Sequence, residues 1–142
     1  MLSLAQAQAI LAAALSYADE KALKPLAISL IDSRGAPKAF AAQDGTSLKR
    51  GEIAIGKAGG TVAMGVGSRQ LQKLALERPH FVQAASHAIG GMMVPVPGGV
   101  LIRDTSGTLL GAIGISGDTA DNDELCAVAA IEATGLLAET GG

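Results

Sequence analysis

The stretch GTLLGAIGISGDTADNDELCAVAA, residues 107–130, contains the pattern that decides the fold. Apolar residues interspersed with glycines over 108–116 predict the longest strand of a sheet. Gly111 and Gly114 face opposite sides of that strand, so one can admit a helix closely while the other leaves space for a ligand or a subunit. An acidic cluster follows and then a helical apolar pattern, an order that the dipole of a helix favours.

Outward from this stretch, hydrophobic spacing and turn residues divide the rest of the chain into helices and strands. The predicted helices span 4–21, 48–63, 69–77, 79–89 and 121–139. The predicted strands span 26–32, 37–43, 99–104 and 108–116, with one short strand early in GGMMVPVPGG (90–99). Because hairpins require antiparallel pairing, we expect one α/β (α+β) domain over 1–142, a profilin-like five-stranded antiparallel sheet flanked by helices.

Two helix starts carry capping signals. Ser3 followed by Gln6 predicts a capping box at the start of the first helix. Ser68 is expected to cap the short helix that begins at the next residue.

Composition and charge narrow the class of protein. The 142 residues are 49% hydrophobic and 17% charged, which is typical of a folded globular domain. A net charge of −2, with no Trp, one Tyr and two Phe, argues against a nucleic-acid partner. The lone Cys126 excludes an intrachain disulfide, and neither a signal-peptide pattern nor a long apolar run occurs. We therefore expect no membrane partner and a cytoplasmic location.

A phosphate-binding loop is excluded by one position. The segment GEIAIGKA (51–58) approaches the pattern G-x-x-x-x-G-K-[ST], but Ala58 replaces the hydroxyl that binds magnesium. No strand directly precedes the segment, and its spacing is helical. We expect an ordinary helix of small residues with Lys57 at its edge.

The backbone amides of two pairs of neighbouring residues are candidates for binding an anion. Gly98 and Gly99 lie beside the long strand, and Ser116 and Gly117 lie at its end. Free amides and a helix N-terminus suit a carboxylate such as that of a small organic acid. Arg69, close to a helix start after a glycine loop, is a further candidate for contact with an anionic ligand.

The two histidines are seven residues apart, so they can share one face of a helix. His80 and His87 are each either surface or partly buried imidazoles, or else ligands of a metal or of haem. No HExxH pattern or adjacent carboxylate motif accompanies them, which favours the first interpretation.

Several separated motifs together resemble the GlcG/HbpS family of haem-degrading domain proteins, which includes the C-terminal domain of PduO-type cobalamin adenosyltransferases. The motifs are SLIDSRGAPKAF (29–40), DGT (44–46), IAIGKAGGTVAMG (53–65), PGGVLIRD (97–104), LLGAIGISG (109–117) and DNDELCAVAAIEA (121–133). They cover the chain from about Leu4 to Leu137 in the family's order. The resemblance implies the same profilin-like fold, a dimer or higher homo-oligomer, and haem as the cofactor to test.

The resemblance also indicates site residues. Lys57 matches the lysine of the family's KA motif, Asp44 matches the acid of its DG turn, and Asp123 matches its acidic position before the last helix. Lys57 is a candidate partner for an anionic ligand, and the backbone amides named above would also suit a haem propionate. The DxxE spacing of Asp121 and Glu124 resembles acidic pairs that bind iron in some haem-binding relatives, although the same acids also favour a helix start.

Three functional hypotheses remain open. The first is a small-molecule-binding accessory protein of the GlcG/HbpS type that binds haem and acts as a homo-oligomer. The second is a catabolic enzyme acting on a small organic acid by isomerisation, hydrolysis or deamination, with Lys57, Asp44 or a histidine as proton carrier. The third is a structural or chaperone-like oligomer without a ligand. An apolar slot would favour haem, a pocket around a perturbed Lys57 would favour the enzyme, and a filled core would favour the structural role.

Overall fold

The computed structural model describes all 142 residues and contains five helices and five strands. The helices are α1 (Leu4–Glu20), α2 (Arg50–Met64), α3 (Ser68–Glu77), α4 (Pro79–Ala88) and α5 (Ala120–Ala133). The strands are β1 (Ala27–Asp32), β2 (Pro37–Ala42), β3 (Gly99–Arg103), β4 (Leu109–Ser116) and β5 (Leu137–Glu139). No helix has both the length and the hydropathy that crossing a membrane requires.

All five strands belong to one antiparallel sheet, in the order β2-β1-β4-β3-β5. The glycine-containing strand β4 lies at its centre, between β1 and β3. The prediction of a five-stranded antiparallel sheet flanked by helices is confirmed. The first four helices and the first four strands begin and end within two residues of the predicted positions.

The fifth strand is not the predicted one, because no strand forms within 90–98. Pro95 and Pro97 in that segment lack the N–H groups that a strand ladder needs. The segment instead packs on α2, where the amide of Val94 donates to the carbonyl oxygen of Gly56 at 3.1 Å.

The predicted last helix is also too long. It ends at Ala133 because Gly135 adopts φ +81°, a left-handed conformation that stops the helix. The chain then reverses, and Leu137–Glu139 forms β5 beside β3. The strand count is therefore right, whereas the prediction placed one strand before β3 instead of after α5.

Each face of the sheet has its own core. Helices α1 and α5 cover one face, over a cluster of 17 buried residues that includes Ile28 and Ile113. Helix α2 covers the opposite face, where Ala58 packs against Leu101 and Ala112. Helices α3 and α4 form a third, smaller cluster with Met93 beside α2.

Helix α2 lies directly on the backbone of β4. A Cβ atom on Gly114 would overlap the carbonyl oxygen of Ala54, so only glycine permits this approach. The prediction that one strand glycine admits a helix is confirmed there. The prediction of open space at Gly111 is wrong, because the backbone of β1 at Ile31 fills that side.

The two capping predictions have different outcomes. Ser3 and Gln6 form the expected capping box of α1. Ser68 is not the cap of α3, since Gly67 occupies that position. The buried Ser68 hydroxyl instead accepts a hydrogen bond from the Gly99 amide (2.7 Å) and donates to the Gly99 carbonyl oxygen (3.2 Å), which ties α3 to β3.

Candidate functional site

Lys57 lies in the middle of α2, and its side chain is buried between that helix and the end of β4, with 3% of it exposed. The neighbouring glycines make room for it. A Cβ on Gly98 would lie 2.9 Å from Lys57 Nζ, and one on Gly99 would lie 2.5 Å from the Lys57 carbonyl oxygen. The expectation of a lysine at the helix edge is therefore wrong, because the glycine-rich strands let α2 sink onto the sheet.

The Lys57 ammonium has two protein partners. Its Nζ donates to the carbonyl oxygen of Ile115 (2.8 Å) and to Oδ2 of Asp123 (3.1 Å). Asp123 is in the first turn of α5, and 2% of its side chain is exposed. Its Oδ1 accepts a hydrogen bond from the Asp118 amide at 3.0 Å. One buried ion pair thus connects α2, β4 and α5.

Burial sets the ionisation of this pair. Loss of solvation lowers the pKa of Lys57, the Asp123 carboxylate opposes that change, and the nearby Arg50 cation adds to it. Loss of solvation likewise raises the pKa of Asp123, against the opposing effect of Lys57 and of the backbone amides of Asp118 and Gly117. The two shifts bring the proton affinities of the pair closer together.

A cleft of about 280 Å³ opens beside the pair, and we call it the Lys57 cleft. Its apolar wall consists of Ile53, Val94, Val96 and Ala120. Its polar groups come from Arg50, Lys57, Ser116, Asp118 and Asp123. An apolar cavity with a few convergent polar groups is the usual form of a small-molecule site.

Arg50 is a site residue that the sequence analysis missed. It begins α2, seven residues before Lys57, so the two side chains share a helix face. Its Nη1 lies 3.2 Å from Oγ of Ser116, the residue that follows the Ile115 carbonyl bound by Lys57. The seven-residue spacing was the available signal, but it has meaning only once Lys57 is known to be buried.

A second depression is apolar and lies between α2 and β2. Two adjoining cavities of about 430 Å³ and 230 Å³ share Phe40 of β2 and Ile55 of α2. Leu48 lines the larger cavity and Met92 the smaller, and all four of these side chains are exposed. We call this surface the Phe40 groove. Its surface is mainly apolar, with Glu52 as its one charged side chain, and the sequence analysis did not identify it.

A polar cavity of about 220 Å³ continues from the Phe40 groove. Thr46 and Ser47 line both spaces, which places them at the junction. Lys24 and Arg50 line the polar cavity, and no acidic side chain does. Arg50 therefore lies between this cavity and the Lys57 cleft.

The amides predicted to bind an anion are partly engaged by the protein itself. The Gly99 amide donates to the Ser68 hydroxyl, so it is not free to bind an anion. Ser116 borders the Lys57 cleft and Gly117 borders the polar cavity. Of these four residues, Ser116 and Gly117 are thus the two that face a cavity.

Arg69 and the predicted metal pair turn out to belong to one cluster. Arg69 Nε donates to both carboxylate oxygens of Glu124 (3.1 and 3.0 Å), and Nη2 donates to Asp121 (2.6 Å). A metal ion or an anionic ligand would have to displace one of these partners. No group of three or more His, Cys, Asp or Glu side chains is gathered in the fold.

The remaining candidates line neither depression. His80 and His87 are exposed on α4 and line neither the Lys57 cleft nor the Phe40 groove. Asp44 is exposed in the turn after β2 and also lines neither. The two proposed proton carriers, Lys57 and Asp44, are therefore not brought together.

Comparison with known protein families gives one match for this chain. The chain matches the family model described as "Haem degrading protein HbpS-like" over residues 2–132. A comparison with curated proteins gives no significant match.

Solved structures share the fold over nearly the whole chain. PduOC, in a complex with heme, is 25% identical and superposes with a TM-score of 0.84 over 99% of both chains. Protein ORFY of Klebsiella pneumoniae is 22% identical, with a TM-score of 0.82 over 94% of this chain and 90% of that one. A double mutant of HbpS from Streptomyces reticuli is 22% identical, with a TM-score of 0.78 over 93% and 86%. Since the family model matches residues 2–132 of the 142, this protein belongs to the family described as "Haem degrading protein HbpS-like".

Proposed function

We propose that this protein binds haem in the Phe40 groove. The observation that carries the proposal is an open apolar depression on a member of a haem-related family. A porphyrin is a flat apolar plate, and each square ångström of apolar surface removed from water stabilises the complex by about 25 cal/mol. The groove offers exposed apolar surface of this kind, built around Phe40 and Ile55.

The residues of the groove fit haem in two further respects. The Met92 thioether lines the smaller cavity and is a ligand type that haem iron accepts. Lys24, Thr46 and Ser47, in the adjoining polar cavity, are suitable partners for propionate groups. His80 and His87 line no part of the groove, so the geometry favours Met92 over either histidine as the iron ligand.

Similarity to a haem complex supports the proposal. PduOC, whose solved structure contains heme, has the same fold over 99% of both chains. At 25% identity, that likeness does not transfer a ligand residue. The ligand therefore has to be identified on this chain by substitution.

The second part of the proposal is a homo-oligomer. The Phe40 groove is open, so a haem plate lying in it keeps one face in water. Phe40 belongs to β2, an edge strand of the sheet, where a second copy can approach without breaking an existing strand pair. Covering the groove and its exposed apolar side chains with a second copy would remove both from solvent.

A haemin titration of the purified protein, followed by the Soret band, tests the haem site. We expect saturable binding that Phe40→Glu weakens strongly, because it places a carboxylate among the apolar walls. The matched control is Phe81→Glu, an exposed phenylalanine on α4 outside the groove. Met92→Ala should change the Soret position, whereas His80→Ala and His87→Ala should not. No saturable shift, or equal effects of the two phenylalanine variants, would overturn the proposal.

Light scattering coupled to size-exclusion chromatography, with and without haemin, tests the homo-oligomer. We expect a mass equal to two or more chains of 14.1 kDa. A mass of one chain under both conditions would contradict this part of the proposal and leave the haem part standing.

A further inference from the structure

Arg50 differs from the other arginines in having neither an acid nor an aromatic ring as a partner. Three arginines pair with carboxylates, namely Arg34, Arg69 and Arg103. Arg78 lies over the ring of Phe81, 5.6 Å from its centroid. The half-buried Arg50 makes one side-chain bond, to the Ser116 hydroxyl. A guanidinium carries five N–H donors in a fork that matches a carboxylate, so most donors of Arg50 are available.

Lys57 also has a donor to spare. An ammonium carries three N–H groups, and the Ile115 carbonyl and the Asp123 carboxylate accept two of them. No third protein acceptor is within hydrogen-bond distance of Nζ. Because Arg50 and Lys57 contact consecutive residues of β4, their charged groups converge on the same small cleft.

The two carboxylates that border the cleft already accept hydrogen bonds from other groups of the protein. Asp118 accepts hydrogen bonds from two backbone amides and from Nδ2 of Asn122. Asp123 accepts from Lys57 and from the backbone. These carboxylates therefore leave Arg50 without an anionic partner, and the cleft has more unused donors than unused acceptors. That balance suits an anion with acceptor oxygens at two positions.

We propose that the Lys57 cleft binds a small 2-oxo carboxylic acid, with the carboxylate on Arg50 and the carbonyl oxygen on the remaining N–H of Lys57. A carboxylate matches the guanidinium fork, and a carbonyl oxygen needs only the one donor that Lys57 has left. The short carbon chain of the ligand then contacts Val94 and Val96. At about 280 Å³ the cleft suits a molecule of a few carbon atoms. It shares no lining residue with the Phe40 groove, although Arg50 borders both the cleft and the adjoining polar cavity.

Pyruvate is the probe for this site. The chain of 14.1 kDa is small enough for ¹H–¹⁵N spectra, in which pyruvate can be titrated at constant ionic strength. We expect saturable shifts confined to amides around the cleft, such as those of Val96, Ser116 and Ala120, with a Kd below about 10 mM. Pyruvamide, which lacks the charge, and propionate, which lacks the carbonyl, should bind at least about tenfold more weakly.

Substitutions assign the two contacts. Arg50→Gln should weaken pyruvate binding by about tenfold or more, whereas Arg78→Gln, another arginine without an acid partner, should leave it unchanged. The double variant Lys57→Met with Asp123→Leu removes the buried pair together and should abolish the preference for pyruvate over propionate. Should this variant not fold, the comparison of pyruvate with propionate on the unchanged protein still tests the carbonyl contact.

Three results would overturn the inference: no saturable shift, equal affinity for pyruvate and propionate, or undiminished binding by Arg50→Gln. The haem proposal is distinguished by Phe40→Glu, which should lose haemin and retain pyruvate. Loss of pyruvate in that variant would show that the two sites are not separate.

Discussion

Two ion clusters attach the first turn of α5 to the rest of the molecule, and they differ in their access to water. The Lys57–Asp123 pair has an N···O distance of 3.1 Å, and its side chains are 3% and 2% exposed. In the other cluster, Arg69 lies 2.6 Å from Asp121 and 3.0 Å from Glu124, and the exposed fractions of these side chains are 36%, 77% and 13%. Similar distances thus correspond to different contributions to stability. When a buried charge loses its partner, no water molecule can take the partner's place, whereas an exposed charge is solvated at once.

Removing one member of the buried pair should have the largest effect. Asp123→Ala leaves the Lys57 ammonium buried without its carboxylate, and we expect the free energy of unfolding to fall by about 3–5 kcal/mol. Urea denaturation at neutral pH measures this loss. Asp121→Ala, in the same turn but exposed, should lose less than about 1 kcal/mol. Equal losses would remove the distinction between the two clusters.

The double variant Lys57→Met with Asp123→Leu sharpens the same test. It replaces two buried charges by apolar groups, so it should be more stable than Asp123→Ala and close to the unchanged protein. A double variant as unstable as Asp123→Ala would mean that packing, and not the unpaired charge, causes the loss.

The two clusters should also differ in how the free energy of unfolding depends on pH. Burial lowers the folded-state pKa of Lys57 below its ordinary 10.5. Between that lowered value and 10.5 the unfolded chain holds a proton that the native protein has lost, so stability should rise with pH in this window. Urea denaturation from neutral pH to pH 10.5 should therefore show the unchanged protein gaining stability relative to the double variant.

The cluster around Arg69 should not make the free energy of unfolding depend on pH in that window. Hydrogen bonds from Arg69 to Glu124 and Asp121 raise the pKa of an already strongly basic group, so Arg69 stays charged throughout. The opposite result is also informative. If the unchanged protein loses stability relative to the double variant as the pH rises, the pKa of Lys57 is not lowered.

The smallest effect belongs to Arg69 itself. Arg69→Gln should lower the free energy of unfolding by less than about 1 kcal/mol, and most of that loss should vanish in about 1 M salt because solvent ions screen exposed charges. The loss in Asp123→Ala should persist at the same salt concentration. Thermal or urea denaturation at two salt concentrations distinguishes the two responses.

Local sequence patterns predicted most of the fold, because helical spacing and turn residues act over a few positions. The two elements that were misplaced lie where distant contacts decide the outcome. Residues 92–94 pack on α2 instead of forming a strand, and Leu137–Glu139 becomes a strand because β3 offers a free edge. Neither contact leaves a periodic signal in the chain.

The candidate site was predictable in its parts and not as a whole. Lys57 and Asp123 were both noted, but 66 positions separate them, and nothing local indicates that they pair. Arg69, Asp121 and Glu124 were assigned to separate roles for the same reason. Arg50 was missed because its importance depends on the burial of α2, which the glycines of distant strands allow.

The close contact between α2 and β4 also limits how this fold can change its ligand. Arg50 and Lys57 stand on a helix that cannot shift toward the sheet, because the Ala54 carbonyl already touches Gly114. The opposite wall of the cleft carries Val94 and Val96 on an irregular segment with few backbone bonds. Selection for a new small molecule would therefore act mainly on that segment, with the two cations kept as a fixed docking point and the valines exchanged to reshape the space beside them.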